Sequence, residues 1–137
     1  MGGNAARLGL ISALAMALAA CAYQAPPEVD PNIFPTNYKK EILDTLTPIY
    51  DDPTNVRDAY ITEPVLRSAG KEQRYTVCVR SNSRNLSRQY SGAKDRIGYF
   101  FGGHLNQLIE ATKEQCGNAP YKPFPELEKI CLGQKCE

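Results

Sequence analysis

The 137-residue chain has no tryptophan, one histidine and two methionines, and it lacks the groupings on which most catalysis depends. It contains no G-x-S-x-G, no phosphate-cradling glycine loop and no Cys-x-x-Cys. A hydrolase needs a nucleophile with an oriented base, paired carboxylates or a metal. The only histidine, His104, follows Gly102-Gly103 and reads as a polar residue flanking a turn. Asp51-Asp52 precede a proline and read as turn formers, while Glu126 and Glu128 fall where the first turn of a helix favours acids. The sequence therefore predicts no enzyme, no cofactor and no metal. Excess charge is also missing: with Arg7 removed, 15 basic residues face 15 acidic ones, so nothing in the balance demands a nucleic-acid partner. Long apolar runs are absent too. Leu8–Ala20 stays uncharged for 13 residues, short of the roughly 20 that a membrane-spanning helix needs, and Pro26, Pro27, Glu28 and Asp30 follow at once.

That run has the form of a signal peptide, with Arg7 in a short positive region, an apolar stretch and small residues at its end. Leu18-Ala19-Ala20 is followed directly by Cys21. These four residues resemble the bacterial lipobox. The resemblance implies cleavage before Cys21, a diacylglyceryl thioether on its sulfur, acylation of the new amino terminus and residence in the cell envelope facing the periplasm. Two or three acyl chains hold a protein stably at a membrane where one holds it weakly. Ala22, rather than Asp, in the next position points by the same resemblance to the outer membrane over the inner. The alternative is an ordinary signal peptide with cysteine as its first mature residue.

Lipidation of Cys21 would explain why the cysteine count, five, is odd. Cys78, Cys116, Cys131 and Cys136 remain, an even set compatible with three pairings. Small exported domains commonly use disulfides. The favoured pairing is Cys78–Cys116 with Cys131–Cys136, one joining a strand to a later loop and the other fastening the last helix to the tail. With a single histidine, zinc coordination is the weaker reading.

The expected organisation is a signal peptide over 1–20, a lipidated proline-rich tether over 21–35 and one small domain over 36–137. Stretched at about 3.1 Å per residue, the tether reaches roughly 40 Å. Thr36 or Asn37 caps a helix whose apolar positions Tyr38, Ile42, Leu43, Leu46 and Ile49 recur at helical spacing, with Pro48 ending or kinking it. Arg74–Arg80 alternates as a strand, Ile97–Phe101 is a second and Leu105–Ile109 a third, with Gly102-Gly103 as a hairpin turn and a long loop over Ser81–Arg96. Val56–Leu66 reads as an extended segment pairing with the sheet edge and ending near Pro64, and Pro125 opens a short helix over Glu126–Cys131, with Gly133 as its terminator. The class is α+β: an N-terminal helix packed on a small antiparallel meander, a short C-terminal helix and disulfide staples.

Val77–Gly92, VCVRSNSRNLSRQYSG, is dense in Asn, Arg and Ser. Together with Asp52-Pro53-Thr54 it resembles a module of small exported bacterial proteins of unassigned function, written roughly C-x-x-x-N-A-K-N-x-x-G-G-Y-x-G after an upstream D-P-x-S/T. Asn82-Ser83-Arg84-Asn85 stands for N-A-K-N and Tyr90-Ser91-Gly92 for Y-x-G, whereas Arg88-Gln89 replaces the two glycines. The candidate binding residues are Asn82, Arg84, Asn85, Arg88 and Tyr90. Asn side chains also shape turns, so a purely loop-forming role stands beside recognition. Lys71–Arg96 holds seven basic and two acidic residues, and the rest of the mature chain eight and 13. This zoning suits anionic lipid or an acidic envelope protein. Equally, the arginines could pair with acids of their own domain. A non-catalytic binding or structural role at the envelope follows, with inhibition of a wall-degrading enzyme as the alternative.

Overall fold

The computed structural model describes residues 24–131, so Leu18, Ala19, Ala20, Cys21 and Cys136 lie outside the described residues. The longest alternating segment forms the spine of the sheet. Strand β3 (Glu72–Arg84) pairs antiparallel with β4 (Lys94–Phe101) on one side. On its other side it pairs with β2 (Val65–Ala69) and then β1 (Asp52–Ile61). β5 (His104–Glu110) extends the sheet beyond β4, and the two-residue β6 (Lys122–Pro123) lies beyond β1. The expected three-strand meander is thus the β3–β4–β5 part of a six-stranded antiparallel sheet.

Gly102 and Gly103 connect β4 to β5 with φ of 58° and 83°. Two consecutive positive φ values are what a tight hairpin of right-twisted strands demands, and glycine supplies them without a Cβ clash. The expected loop over Ser81–Arg96 is much shorter, because strand pairing continues through Arg84 and resumes at Lys94.

The Val56–Leu66 segment needs a larger correction. It is two strands, not one, and its first half is interior to the sheet, between β3 and β6. Proline has no N–H for the ladder, and the break falls at Pro64. Thr62 bridges the interruption: its N–H donates to Cys78 O and its Oγ1 accepts from Cys78 N, both at 2.9 Å. β1 begins at Asp52, at residues expected to form a turn. Its register slips twice, between Asp52 and Arg57 and again between Arg57 and Tyr60. Asn55 and Asp58 take positive φ of 54° and 52° there, a conformation that short polar side chains tolerate at bulges.

Both faces of the sheet are covered. Helix α1 (Tyr38–Leu46) buries Tyr38, Ile42 and Leu46 against Val56, Ala59, Ile61, Val77, Val79 and Phe100. Phe124 and Leu127 join this core as α3 (Pro125–Glu128) packs beside β1. Asn37 takes the N-cap position without a side-chain capping bond, Thr47–Ile49 continues as a 3₁₀ turn with Pro48 in it, and Ile49 is exposed rather than in the core. α3 stops at Glu128, three residues short of expectation, and Glu128 Oε1 accepts from Ala59 N at 3.0 Å. On the opposite face Cys78, Ile97 and Cys116 form a second cluster with Tyr99 and Tyr121 around α2 (Lys113–Cys116). A capping box between Thr112 and Gln115 starts that short helix.

Cys78 and Cys116 form a disulfide joining β3 to α2. Cys131 is also disulfide-bonded, and Cys136, the partner expected for it, is outside the described residues.

The second half of the proline-rich stretch is seated on the fold. Gly102 N donates to Pro31 O at 3.1 Å, Phe34 meets Tyr75 edge to face at 5.3 Å, and Pro35 is buried. Val29–Pro35, expected within the extended stretch, is thus gathered onto the hairpin.

Candidate functional site

The two separated pieces of the motif come together in space. Asp52 pairs with Arg84 across β1 and β3. Its Oδ1 accepts from Thr54 N at 2.9 Å and from Thr54 Oγ1 at 2.6 Å, while Oδ2 accepts from Arg84 Nε at 2.9 Å. These bonds, led by that from the Thr54 hydroxyl, hold the Asp52 carboxyl below the usual carboxylate range.

The rest of the candidate set is likewise engaged within the domain. Asn82 Nδ2 donates to Asp58 Oδ2 at 3.3 Å, and its Oδ1 accepts from Gly92 N at 3.2 Å. Asn85 closes a small loop: its Oδ1 accepts from Gln89 N at 2.9 Å, its N–H donates to Gln89 O and its carbonyl accepts from Arg88 N. The Tyr90 hydroxyl donates to Asn55 O at 2.6 Å, and the Arg57 guanidinium stacks over the Tyr90 ring at 4.3 Å. Asn82, Arg84, Asn85 and Tyr90 therefore shape and brace the β3–β4 loop. Arg88 is different: it is exposed at the loop tip with φ 60°, in the left-handed backbone that favours glycine. Leu86 beside it is 83% exposed.

The other arginines of the basic zone also have partners. Arg80 donates to Asp95 through Nε at 2.7 Å and Nη2 at 2.9 Å, and it lies over the Tyr121 ring at 4.5 Å. The Arg80 bonds lower the Asp95 carboxyl. Burial, followed by the neighbouring Asp95 carboxylate, pushes the Tyr121 hydroxyl up. Arg74 pairs with Glu72. Among the described residues Asp52 and Glu110 are the acids that pair with this segment's cations from outside it, so it keeps a net positive charge.

A polar cleft of about 210 Å³ lies beneath the loop, built by residues too far apart in the chain to be grouped from their order alone. Ser83, Arg84, Ser91, Lys94 and Arg96 line it, with Asp51 at one side. Arg96 rests over the Tyr50 ring at 5.6 Å and has no carboxylate partner among the described residues. Among the described residues Lys94 pairs only with the exposed Glu110, at 3.6 Å. Strand alternation delivers both cations, since Lys94 and Arg96 are two apart on β4 and so share a face. The cleft can hold a small anionic group between two cations and serine hydroxyls. His104 is far from it, at the start of β5, where its Nδ1 lies 3.1 Å from Glu41 Oε1. Among the described residues no three His, Cys, Asp or Glu side chains are grouped to hold a metal ion, and no helix is long and apolar enough to cross a membrane.

The fold defines the chain as a small mixed α and β protein with an antiparallel sheet and a sheet-to-helix disulfide. Comparison with protein-family models, curated proteins and solved structures finds no match to it.

Proposed function

We propose that this is an envelope lipoprotein, anchored through a diacylglyceryl thioether on Cys21 and working by non-catalytic binding on the periplasmic side, at the outer membrane in preference to the inner. One observation carries the reading: Leu18-Ala19-Ala20-Cys21 stands directly after an uncharged run of 13 residues. The Cys78–Cys116 disulfide supports export, because such bonds persist in oxidising compartments. The binding surface on this reading is the β3–β4 end of the sheet, where Lys94 and Arg96 line the cleft and Arg88 caps the loop, suited to an acidic group of an envelope protein or anionic lipid.

A second reading, inhibition of a wall-degrading enzyme, is favoured by the loop itself. It is held internally at Asn85–Gln89, tied to β1 through Tyr90, and offers an exposed Leu86 to a concave partner. Pull-down from solubilised envelopes separates the two readings. Loss of a partner with Lys94→Glu/Arg96→Glu but not with Leu86→Asp supports cleft binding, and the reverse supports a plugging loop. Partners unchanged in both variants overturn this surface.

A further inference from the structure

We propose that the opposite pole of the domain, formed by the β4–β5 turn and residues 29–35, rests on the lipid bilayer that holds the anchor. The inference depends on lipidation of Cys21. Exposed apolar side chains gather at this pole: Val29 is 49% exposed, Ile33 and Phe34 47% and Phe101 42%. They are positioned by the fold. Val29 and Ile33 lie over Gly102 and Gly103, close enough that a Cβ on those glycines would come within 2.8 Å and 3.1 Å of them. Phe34 is braced against Tyr75, and Phe101 lies 5.1 Å beneath the Arg74 guanidinium. Phe34 and Phe101 thus straddle the end of the sheet.

The chain length between anchor and fold selects the bilayer as occupant. Val29 follows Cys21 by eight residues, a reach of at most about 28 Å when fully extended. In every orientation this pole stays near the membrane surface, so modest apolar contacts act at high effective concentration. The far loop is separated from it by the length of β3, roughly 40 Å at about 3.3 Å per residue. Lys71 is exposed beside this pole, and Arg74 lies over Phe101 while paired with Glu72, basic side chains of the kind an interfacial position accommodates. Glu28, Asp30 and Glu72 also belong to this pole, so the contact is with the headgroup boundary and its strength does not depend on anionic lipid. The arrangement turns the β3–β4 loop and its cleft away from the membrane.

Because the chain lacks tryptophan, Phe101→Trp and Leu86→Trp each create a single reporter, one at each pole. The lipidated proteins, with the Cys21 adduct verified by intact mass, are reconstituted into phosphatidylcholine vesicles carrying brominated acyl chains. Phe101→Trp is expected to lose roughly half its emission, with a blue shift, while Leu86→Trp is nearly unchanged, since only interfacial side chains approach the acyl boundary. Equal emission from both reporters with the adduct present overturns the proposal and leaves the anchor intact. A blue shift at Phe101→Trp that follows protein concentration without bromine quenching also overturns it, assigning the patch to a second copy. Absence of the adduct removes the anchor, and the proposal with it.

Discussion

Arg84 places Nε 2.9 Å and Nη2 2.7 Å from a single oxygen of Asp52, 32 residues earlier in the chain. The Asp52-Pro53-Thr54 segment and the Asn82–Asn85 segment are therefore two halves of one structural joint, with the acid oriented by Thr54 and the base by the end of β3. Both side chains are about one-fifth exposed, so the pair is less screened than an open surface pair. Arg84→Ala should lower stability by about 1–2 kcal/mol, the cost of leaving a partly buried carboxylate without its charged partner. A double-mutant cycle with Asp52→Asn, followed by thermal unfolding, measures the coupling. Additive losses would show that the joint contributes only its separate bonds.

Arg88 makes the opposite prediction. A side chain held at φ 60° is strained where glycine is not. Arg88→Gly should leave stability unchanged or raise it by up to about 1 kcal/mol, glycine's larger unfolded-state entropy offsetting part of the relief. Thermal melts of the two arginine variants, moving in opposite directions, would separate the structural member of the motif from the exposed one.

Acid should weaken the domain through Asp52 and Asp95. Both are depressed in the folded state from an ordinary value of 3.8, Asp52 chiefly by the Thr54 hydroxyl and Asp95 chiefly by Arg80. A depressed folded-state pKa contributes stability that is complete above the unfolded value and is lost as pH falls through the folded one. The melting temperature should accordingly be flat above about pH 5 and fall below about pH 4. Asp95→Asn should flatten that fall. At the alkaline end Tyr38, raised to about 12 mainly by burial, works in reverse: its contribution is complete below 10 and is lost as pH rises through about 12.

Opening the Cys78–Cys116 bond frees a loop with a separation of 38 residues. The chain-entropy model gives a loss of about 4 kcal/mol. For a domain of about 100 residues that lowers the melting temperature by well over about 10 °C. Calorimetry of the Cys78→Ala/Cys116→Ala double variant checks it, and a shift of a few degrees would indicate that packing of α2 already fixes the ends.

The parts of the fold legible in the sequence were those with strong local signals. The Tyr38–Leu46 periodicity, the alternation through Arg74–Arg80, the paired glycines at 102 and 103 and the Cys78–Cys116 pairing each rest on residues close in chain or on few alternatives. The bulged β1 did not announce itself, because Asp52 reads as a turn former and nothing local to Asn55 or Asp58 signals the left-handed backbone that the sheet demands from them. The seating of Ile33 and Phe34 was hidden by the prolines around them, whose pattern is that of a free linker. Among the site residues, type alone did not separate bracing from binding. Arg84 and Tyr90 look like recognition residues, yet Asp52 and the Asn55 carbonyl, distant in sequence, take them up. Arg96 reads as the last residue of the expected loop, whereas it belongs to β4 and rests over a ring and not an acid.

The central claim is that Cys21 carries lipid and that the other sulfurs are oxidised. Intact mass of the protein recovered from membranes, with and without an alkylating reagent under non-reducing conditions, tests it directly. The account predicts a chain beginning at Cys21, heavier by a diacylglyceryl group and an amino-terminal acyl chain, that takes up no alkylating reagent until it is reduced. A chain that keeps its first 20 residues, or one with an unmodified Cys21 thiol open to alkylation, would contradict it.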